Sequence, residues 1–370
     1  MDIHRKLDLL GRAAGFDVCA PPGGPPDLRP YISYVQPPGG GKKPVLKVLQ
    51  TSFCERNCRY CAFRAGRDVE RAAFTPDELA AAFDQMQRSG LVQGLFLSSG
   101  IAGSVRTMDR MIATVELVRE RYGYTGYVHL KILPDAEEAQ IEQAVRLADR
   151  VSVNLEAPNP ERLALLAPRK DFAQGLMGPL RRAAAAIARG QGLWTKLGLT
   201  TQFVVGAAGE SDRELLATTQ RLYDELHLAR AYFSAFSPVP DTPLEDQPPV
   251  HPARQHRLYQ SDFLMRYYGF RLDDFVFDAQ GNLALNEDPK IAWAEAHPEY
   301  FPVEVNRAGQ SALLRVPGIG PVSARRILEA RRQGVLRSLG DLRRLGVIVA
   351  RAAPYVLLNG QRPPLQMSLF

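Results

Sequence analysis

Three of the four cysteines, Cys54, Cys58 and Cys61, fall within eight residues of one another in the stretch TSFCERNCRYCAF. At this spacing one loop can present all three thiolates to a single inorganic centre. A 4Fe-4S cube held by three thiolates keeps one iron free for a non-protein ligand, as an open coordination site requires. Two other centres use related ligand sets: a structural zinc completed by a distant group such as Cys19 or a histidine, and a four-cysteine electron-transfer cluster. Zinc ribbons usually pair two C-x2-C knuckles, and one is present here. Cys19 lies apart and reads first as a small buried hydrophobe, second as a substrate-side thiol or a ligand to a second group.

A cluster loop needs regular elements to hold it. Strand-like runs at 45–50 (VLKVLQ), 94–98 (GLFLS), 127–132 (YVHLKI), 150–155 (RVSVNL), 200–205 (TTQFVV) and 231–236 (AYFSAF) alternate with helical patterns. Thr75 and Pro76 open a helix over 75–89, Gly190 closes one over 179–189, and residues 252–268 supply the last. Six such units pair in parallel through right-handed crossovers, which leaves a doubly wound sheet or a barrel. The cysteines directly follow the first strand of this series.

The whole chain has 370 residues, 45% of them apolar and 23% charged, which excludes disorder for most of it. Its net charge of +6 is uneven: residues 301–370 hold eleven arginines against three acids, a net of +8, so the first 300 residues sum to −2. A near-neutral body with a basic C-terminal unit suggests an enzyme carrying a polyanion-binding attachment. No run reaches the apolar length of a membrane span, and the N-terminus MDIHRKLDLLGRAAGF lacks the apolar core of a signal peptide. A cytoplasmic protein is therefore expected, where clustered cysteines point to metal rather than disulfides.

The expected divisions are an N-terminal helix (about 2–14) with a Pro/Gly-rich lead-in over 1–44, a barrel over 45–270 and a connector over 271–302. A basic unit over 303–362 and a tail over 363–370 follow. One short helix in the connector starts at Asp288 and Pro289. In the basic unit, LLRVPGIGPVSARRILEA (313–330) puts two helices around Pro317-Gly318-Ile319-Gly320, with Pro321 opening the second. Glycines permit a tight hairpin whose N–H groups, with a helix dipole behind them, suit a phosphate, and Arg325 and Arg326 sit one turn on. An αα-hairpin that docks protein or caps the barrel is the other reading. Residues 336–358 resemble a degenerate partner hairpin.

The spacing C-x3-C-x-aromatic-C, with Tyr60 as the aromatic, resembles the signature of the radical S-adenosylmethionine (SAM) enzymes, and the resemblance covers roughly residues 45–270. It implies an α/β fold with a partial (β/α)6 TIM-type barrel. It also implies a 4Fe-4S cluster on Cys54, Cys58 and Cys61 whose free iron is chelated by SAM, and reductive cleavage of SAM to a 5'-deoxyadenosyl radical. A reductant such as flavodoxin or ferredoxin would supply the electron. Where the family has Gly-Gly-Glu after the next strand, this chain has Ser98-Ser99-Gly100, which keeps small hydrogen-bonding groups and loses the carboxylate. Lys131, Asn154 and Glu156 stand at strand ends, where contacts to ribose or carboxylate are expected; polar rim residues satisfied by neighbours are the alternative. Val205 and Gly206, in VVGAAGE, resemble the family's adenine-side turn loosely, and a plain β-α turn explains them equally well.

The hairpin resembles the helix-hairpin-helix DNA-binding motif, which implies a small all-α domain after the barrel and contacts backbone rather than bases through Gly318, Ile319, Gly320, Arg325 and Arg326. The last five residues, QMSLF, resemble the peptide with which bacterial proteins engage the sliding clamp, so Gln366, Leu369 and Phe370 are candidate clamp anchors. Together with SPVPDTPLED, HRLYQSDFLMRYYGF, KLDLLGRAAGFDVC, GLFLSSG and GYVHLKILP, these features resemble a bacterial family of DNA modification or repair radical SAM proteins. Its members are usually encoded beside a uracil-DNA-glycosylase-like partner. The expectation is a radical SAM enzyme acting on DNA, with no membrane association. Transfer RNA modification by the same chemistry, or a non-enzymatic Fe-S nucleic-acid-binding protein, are the alternatives.

Overall fold

A computed structural model describes residues 1–14, 31–35, 41–190 and 198–364. In chain order the first part runs α1 (Ile3–Ala14), β1 (Ile32–Val35), β2 (Lys43–Leu49), α2 (Pro76–Arg88), β3 (Gly94–Ser98), α3 (Ser104–Glu116), β4 (Tyr127–Lys131) and α4 (Glu138–Leu147). It continues β5 (Arg150–Ser152), α5 (Pro160–Leu166), α6 (Gly178–Ala188), β6 (Gly198–Val205), α7 (Asp212–Leu226), β7 (Arg230–Ala235) and α8 (Pro252–Tyr268). The sheet order is strictly sequential from β1 to β7. Every neighbouring pair from β2 to β7 is parallel. A doubly wound sheet reverses its strand order at a switch point. Sequential order instead makes each right-handed crossover step the same way, so the helices gather on one face and the sheet curls into an open half-barrel.

All six expected β-α units are present. The structure adds β1, which pairs antiparallel with β2 through Ile32↔Leu46 and Val35↔Lys43. Helix α2 starts as the sequence dictates: Thr75 Oγ1 accepts the Glu78 N–H at 3.2 Å, and Glu78 Oε2 accepts the Thr75 N–H at 2.9 Å. The strands that carry the site are buried over both faces: all five residues of β3 and seven of the eight in β6 are inaccessible.

Backbone contacts divide the chain into two compact units, Met1–Glu210 with Arg221–Pro252, and Ser211–Gln220 with Ala253–Phe370. The second unit takes α8 and the first turns of α7, tied by buried Asp212, whose carboxylate accepts Arg254 Nε at 2.7 Å and the Leu283 N–H at 3.0 Å. Its further elements are α9 (Pro289–Ala296), β8 (Val303–Glu304), α10 (Gln310–Arg315), α11 (Pro321–Ala330), α12 (Leu339–Arg344), α13 (Val349–Ala352) and β9 (Val356–Leu357). Leu313, Ile319, Ile327, Leu342 and Val356 anchor its core. The C-terminal unit is not purely helical, contrary to the sequence expectation. β8 and β9 pair in parallel, through Val303↔Val356 and Glu304↔Leu357.

Among the described residues no helix is long and apolar enough to cross a membrane.

Candidate active site

The cysteines lie on a long loop between β2 and α2 that is closed at its base. Ser52 N–H donates to Ala72 O at 3.0 Å, Phe74 N–H to Gln50 O at 2.9 Å, and Ala72 N–H to Ser52 Oγ at 2.9 Å. Inside the loop Arg71 binds four main-chain carbonyls: Nη1 donates to Ser52 O (2.6 Å) and Phe63 O (3.0 Å), Nη2 to Arg64 O (2.9 Å) and Arg67 O (3.2 Å). A planar fork with fixed donors satisfies carbonyls that an irregular loop would otherwise leave unpaired. Arg56 holds the outer edge, with Nη2 2.5 Å from Asp135 Oδ2 and Nη1 donating to Arg169 O at 2.9 Å. Neither arginine was singled out from the sequence, because their partners are carbonyls and distant side chains that leave no local pattern.

No disulfide joins the three thiols. Phe63 N–H donates to Cys61 Sγ at 3.4 Å, the kind of hydrogen bond that favours thiolate. Burial pushes the Cys58 thiol up, and it pushes Cys61 up to about 12; the Lys170 ammonium opposes both shifts. Among the described residues no three His, Cys, Asp or Glu side chains converge tightly enough for one metal ion. The three cysteines instead line one cavity of about 270 Å³. A cubane is wider than an ion, and its thiolate ligands stand further apart.

The strand ends complete that cavity. Tyr60, Ser99, Gly100, Lys131, Asn154 and Glu156 all line it. Gly100 is required by close approach: a Cβ there would meet Phe53 O at 2.5 Å and Thr51 O at 3.0 Å. Its N–H donates to Thr51 O at 2.7 Å, so the segment after β3 is sewn to the cysteine loop. Ser98 Oγ and Ser99 Oγ are buried with no hydrogen-bond partner among the described residues. Ser98 is not in the cavity lining, whereas Ser99 is, which leaves Ser99 a hydroxyl available to a ligand.

Glu156 is in the left-handed region at φ 64°, a conformation that costs a non-glycine residue energy and marks sites where the surroundings dictate the backbone. Its N–H donates to Gln202 O at 2.9 Å and its carbonyl accepts Val204 N–H at 2.8 Å, so the strain is held by β6. Its carboxylate pairs with Lys170 at 3.1 Å, and both side chains are almost wholly buried. Burial alone would lower the Lys170 ammonium, but the charges of Cys58 and Glu156 outweigh it and raise it. Tyr60 has its hydroxyl hydrogen-bonded to Glu156; burial, then the neighbouring negative charge, holds the phenol well above its ordinary range.

Gln202 and Val204 line the cavity, whereas Val205 is fully buried outside the lining, because alternate residues of a strand face opposite ways. Gly206 also lies outside the lining. Its N–H donates to Glu210 Oε1, and Ala208 N–H donates to Glu210 Oε2 at 3.1 Å, so this loop is a turn closed on its own carboxylate. Sequence reasoning also passed over Gln202, Ser234 and Phe236, which line the cavity from β6, from β7 and from just beyond β7. A polar Gln inside TTQFVV was the available signal. Lys170, in the irregular stretch APRKDF, offered none.

In the second unit Gly318 has φ 83°, and a Cβ there would meet Ile348 O at 2.5 Å. No side chain caps α11, whose N-cap is Gly320, and Arg325 and Arg326 are exposed. The Ile319 side chain is buried in the core instead of facing solvent, so only its backbone remains for a ligand, and its carbonyl accepts Lys290 Nζ at 2.6 Å. The turn at 345–348 packs against the first: Ile348 N–H donates to Gly318 O at 2.9 Å, and Ser323 Oγ donates to Gly346 O at 2.8 Å. Cys19 and the tail residues Gln366, Leu369 and Phe370 lie outside the described residues.

Three thiols on one loop at the C-terminal end of the first parallel strand stand over a cavity ringed by the following strand ends of a β/α half-barrel. An unpartnered Ser99 hydroxyl and a glycine that lets two backbones touch fit a small polar cofactor beside that cluster. Residues 48–222 match the family model described as the Radical SAM superfamily. The superfamily so described consists of enzymes whose cofactors are a 4Fe-4S cluster and SAM. Similar solved structures include HydG, a maturase of the FeFe-hydrogenase (TM-score 0.48, 13% identity, 59% of this chain and 48% of that one). Others are methylornithine synthase PylB (0.47, 15%, 59% and 60%) and HydG from Carboxydothermus hydrogenoformans (0.47, 14%, 59% and 50%). The chain thus spans about half to three fifths of these structures' length. A search of curated proteins returns no match.

Proposed function

We propose that this protein is a radical SAM enzyme of DNA modification or repair, in which the first unit performs the chemistry and the second binds the nucleic acid. When bound and reduced, the cluster and SAM supply a 5'-deoxyadenosyl radical competent to abstract hydrogen from, or add to, a nucleobase or sugar. The chain's own residues prepare the site. Cys54, Cys58 and Cys61 hold the cluster on a loop fixed by Arg71 and Arg56. Ser99, Asn154 and Gln202 offer hydrogen bonds to the polar parts of SAM. The Glu156–Lys170 pair places a neutralised, ordered wall beside the cysteines.

The observation that carries the DNA reading is the glycine turn before α11. Its helix start has no side-chain cap, its two exposed arginines follow within two turns, and a second turn supports it. Such a start attracts phosphate oxygens, in keeping with the helix-hairpin-helix resemblance and the +8 charge of residues 301–370. The same reading brings in a flavodoxin- or ferredoxin-type reductant, a uracil-DNA-glycosylase-like partner and the sliding clamp.

Equilibrium binding to duplex DNA, single-stranded DNA and folded RNA across a salt series tests it. Arg325→Ala and Arg326→Ala are each expected to weaken DNA binding whatever the sequence and to reduce the salt slope by about one. Preference for folded RNA, with DNA bound no better than a neutral polymer, would assign the chemistry to RNA instead.

A further inference from the structure

Helix α8 carries an aromatic pair that the chemistry above does not use. Phe263 and Tyr267, one helical turn apart, are 47% and 50% exposed, with ring centroids 4.6 Å apart. Large exposed rings side by side are costly to keep in water and mark a surface that is covered in use. They are tied to the glycine turn. The Phe263 ring lies 5.9 Å from Tyr268, and the Tyr268 hydroxyl stands 3.1 Å from where a Cβ on Gly320 would be. Lys290 Nζ sits 4.6 Å from the Tyr268 ring centroid while donating to Ile319 O, so the ring row and the turn are held in one frame. The Arg266 guanidinium lies 4.8 Å from the Tyr267 ring centroid, locked by Asp262.

We propose that Phe263 and Tyr267 form a stacking site for unpaired nucleobases beside the phosphate-binding turn. The charge of the surroundings selects this occupant. Through Tyr268 the rings connect to the uncapped start of α11, and they belong to a unit whose C-terminal 70 residues carry +8, a field suited to a polyanion. Exposed aromatics interleaved with arginine bind single strands because every base offers a π-face. In a paired duplex those faces are already occupied. The inference rests on the DNA reading and adds that the bound DNA is unpaired next to the turn, as chemistry on a base requires.

The test is fluorescence anisotropy of the whole protein at fixed salt with three labelled DNAs: a duplex, the same duplex with a short gap, and the free single strand. The double variant Phe263→Ala, Tyr267→Ala is expected to lose about tenfold per ring on the gapped and single-stranded DNAs, with duplex affinity within about twofold of wild type. The pair Phe263→Tyr, Tyr267→Phe, which keeps both π-faces, should bind like wild type. Unchanged gapped-DNA affinity in the alanine variant would overturn the stacking site while leaving the DNA reading intact. Equal losses on all three DNAs would also overturn it, since that pattern reports packing rather than stacking. Wild-type protein that binds none of the three would overturn both.

Discussion

Replacing Arg71 by methionine removes a side chain that ties both ends of the cysteine loop together with four hydrogen bonds. Each is a charge-assisted bond to a main-chain carbonyl, and such bonds contribute about 1.5–3 kcal/mol. The four carbonyls regain water when the loop opens, so the net loss falls well short of the sum, on the order of 3–5 kcal/mol confined to residues 52–72. A loop of this kind has little apolar burial of its own: Phe53 is 47% exposed. Its open form should then outweigh its closed one, while the barrel, built from β2 to β7, keeps its stability. The assay is anaerobic cluster reconstitution with iron and sulfide counted per chain, alongside limited proteolysis of the cluster-free protein. Arg71→Met is expected to bind a minor fraction of the wild-type iron and to be cut first between Ser52 and Ala72. Arg71→Lys should fail almost as badly, because an ammonium cannot span four carbonyls. A lysine variant with full iron content and wild-type protease resistance would refute the reasoning.

Gly100→Ala places a methyl 2.5 Å from Phe53 O, so cluster content should fall severalfold while unfolding temperature changes little; wild-type iron content would show that the loop accommodates the clash. Lys170→Met strands the Glu156 carboxylate and should cost about 3–5 kcal/mol in denaturant unfolding, with Glu156→Gln in the same chain restoring most of it; equal instability of single and double variants would deny the pairing. Burial depresses Lys290 from 10.5 to about 7, with Asp288 opposing and Arg315 reinforcing the shift. The unfolded chain then holds a proton that the folded chain lacks between those values. Stability should therefore rise by up to about 1.4 kcal/mol per pH unit from pH 7 towards 10, and be lost as pH falls through 7. Lys290→Met should flatten that dependence, read from Trp293 fluorescence in a Trp194→Phe background; an unchanged slope would assign it to another group.

Much of this was legible in the sequence because it is local. The cysteine spacing, the Thr75–Pro76 helix start and the six alternating runs each depend on residues within a few positions of one another. Strand β1 was hidden because ISYV is embedded in a Pro/Gly-rich stretch and gains its place only by pairing with β2. Parity decided Val204 over Val205: the strand's existence was visible, but which alternate set faced inward depended on which face the helices covered. Lys170, Arg56 and Arg71 were missed for a common reason. Each acts through carbonyls or charges brought near by the fold, 14 residues away for Lys170 and Glu156, and 79 for Arg56 and Asp135. The left-handed Glu156 is likewise imposed by β6 and has no signature in VNLEAP.

The central claim is that one chain couples radical SAM chemistry to DNA. Its most direct test is to supply the reconstituted protein with SAM, a low-potential reductant and DNA under strict anaerobiosis, and to quantify 5'-deoxyadenosine with and without the DNA. The account predicts formation that requires Cys54, Cys58 and Cys61, rises when DNA is present, and is accompanied by a mass change in nucleosides released from that DNA. Formation that is indifferent to DNA but stimulated by folded RNA, or none with any nucleic acid despite a full cluster, would contradict it.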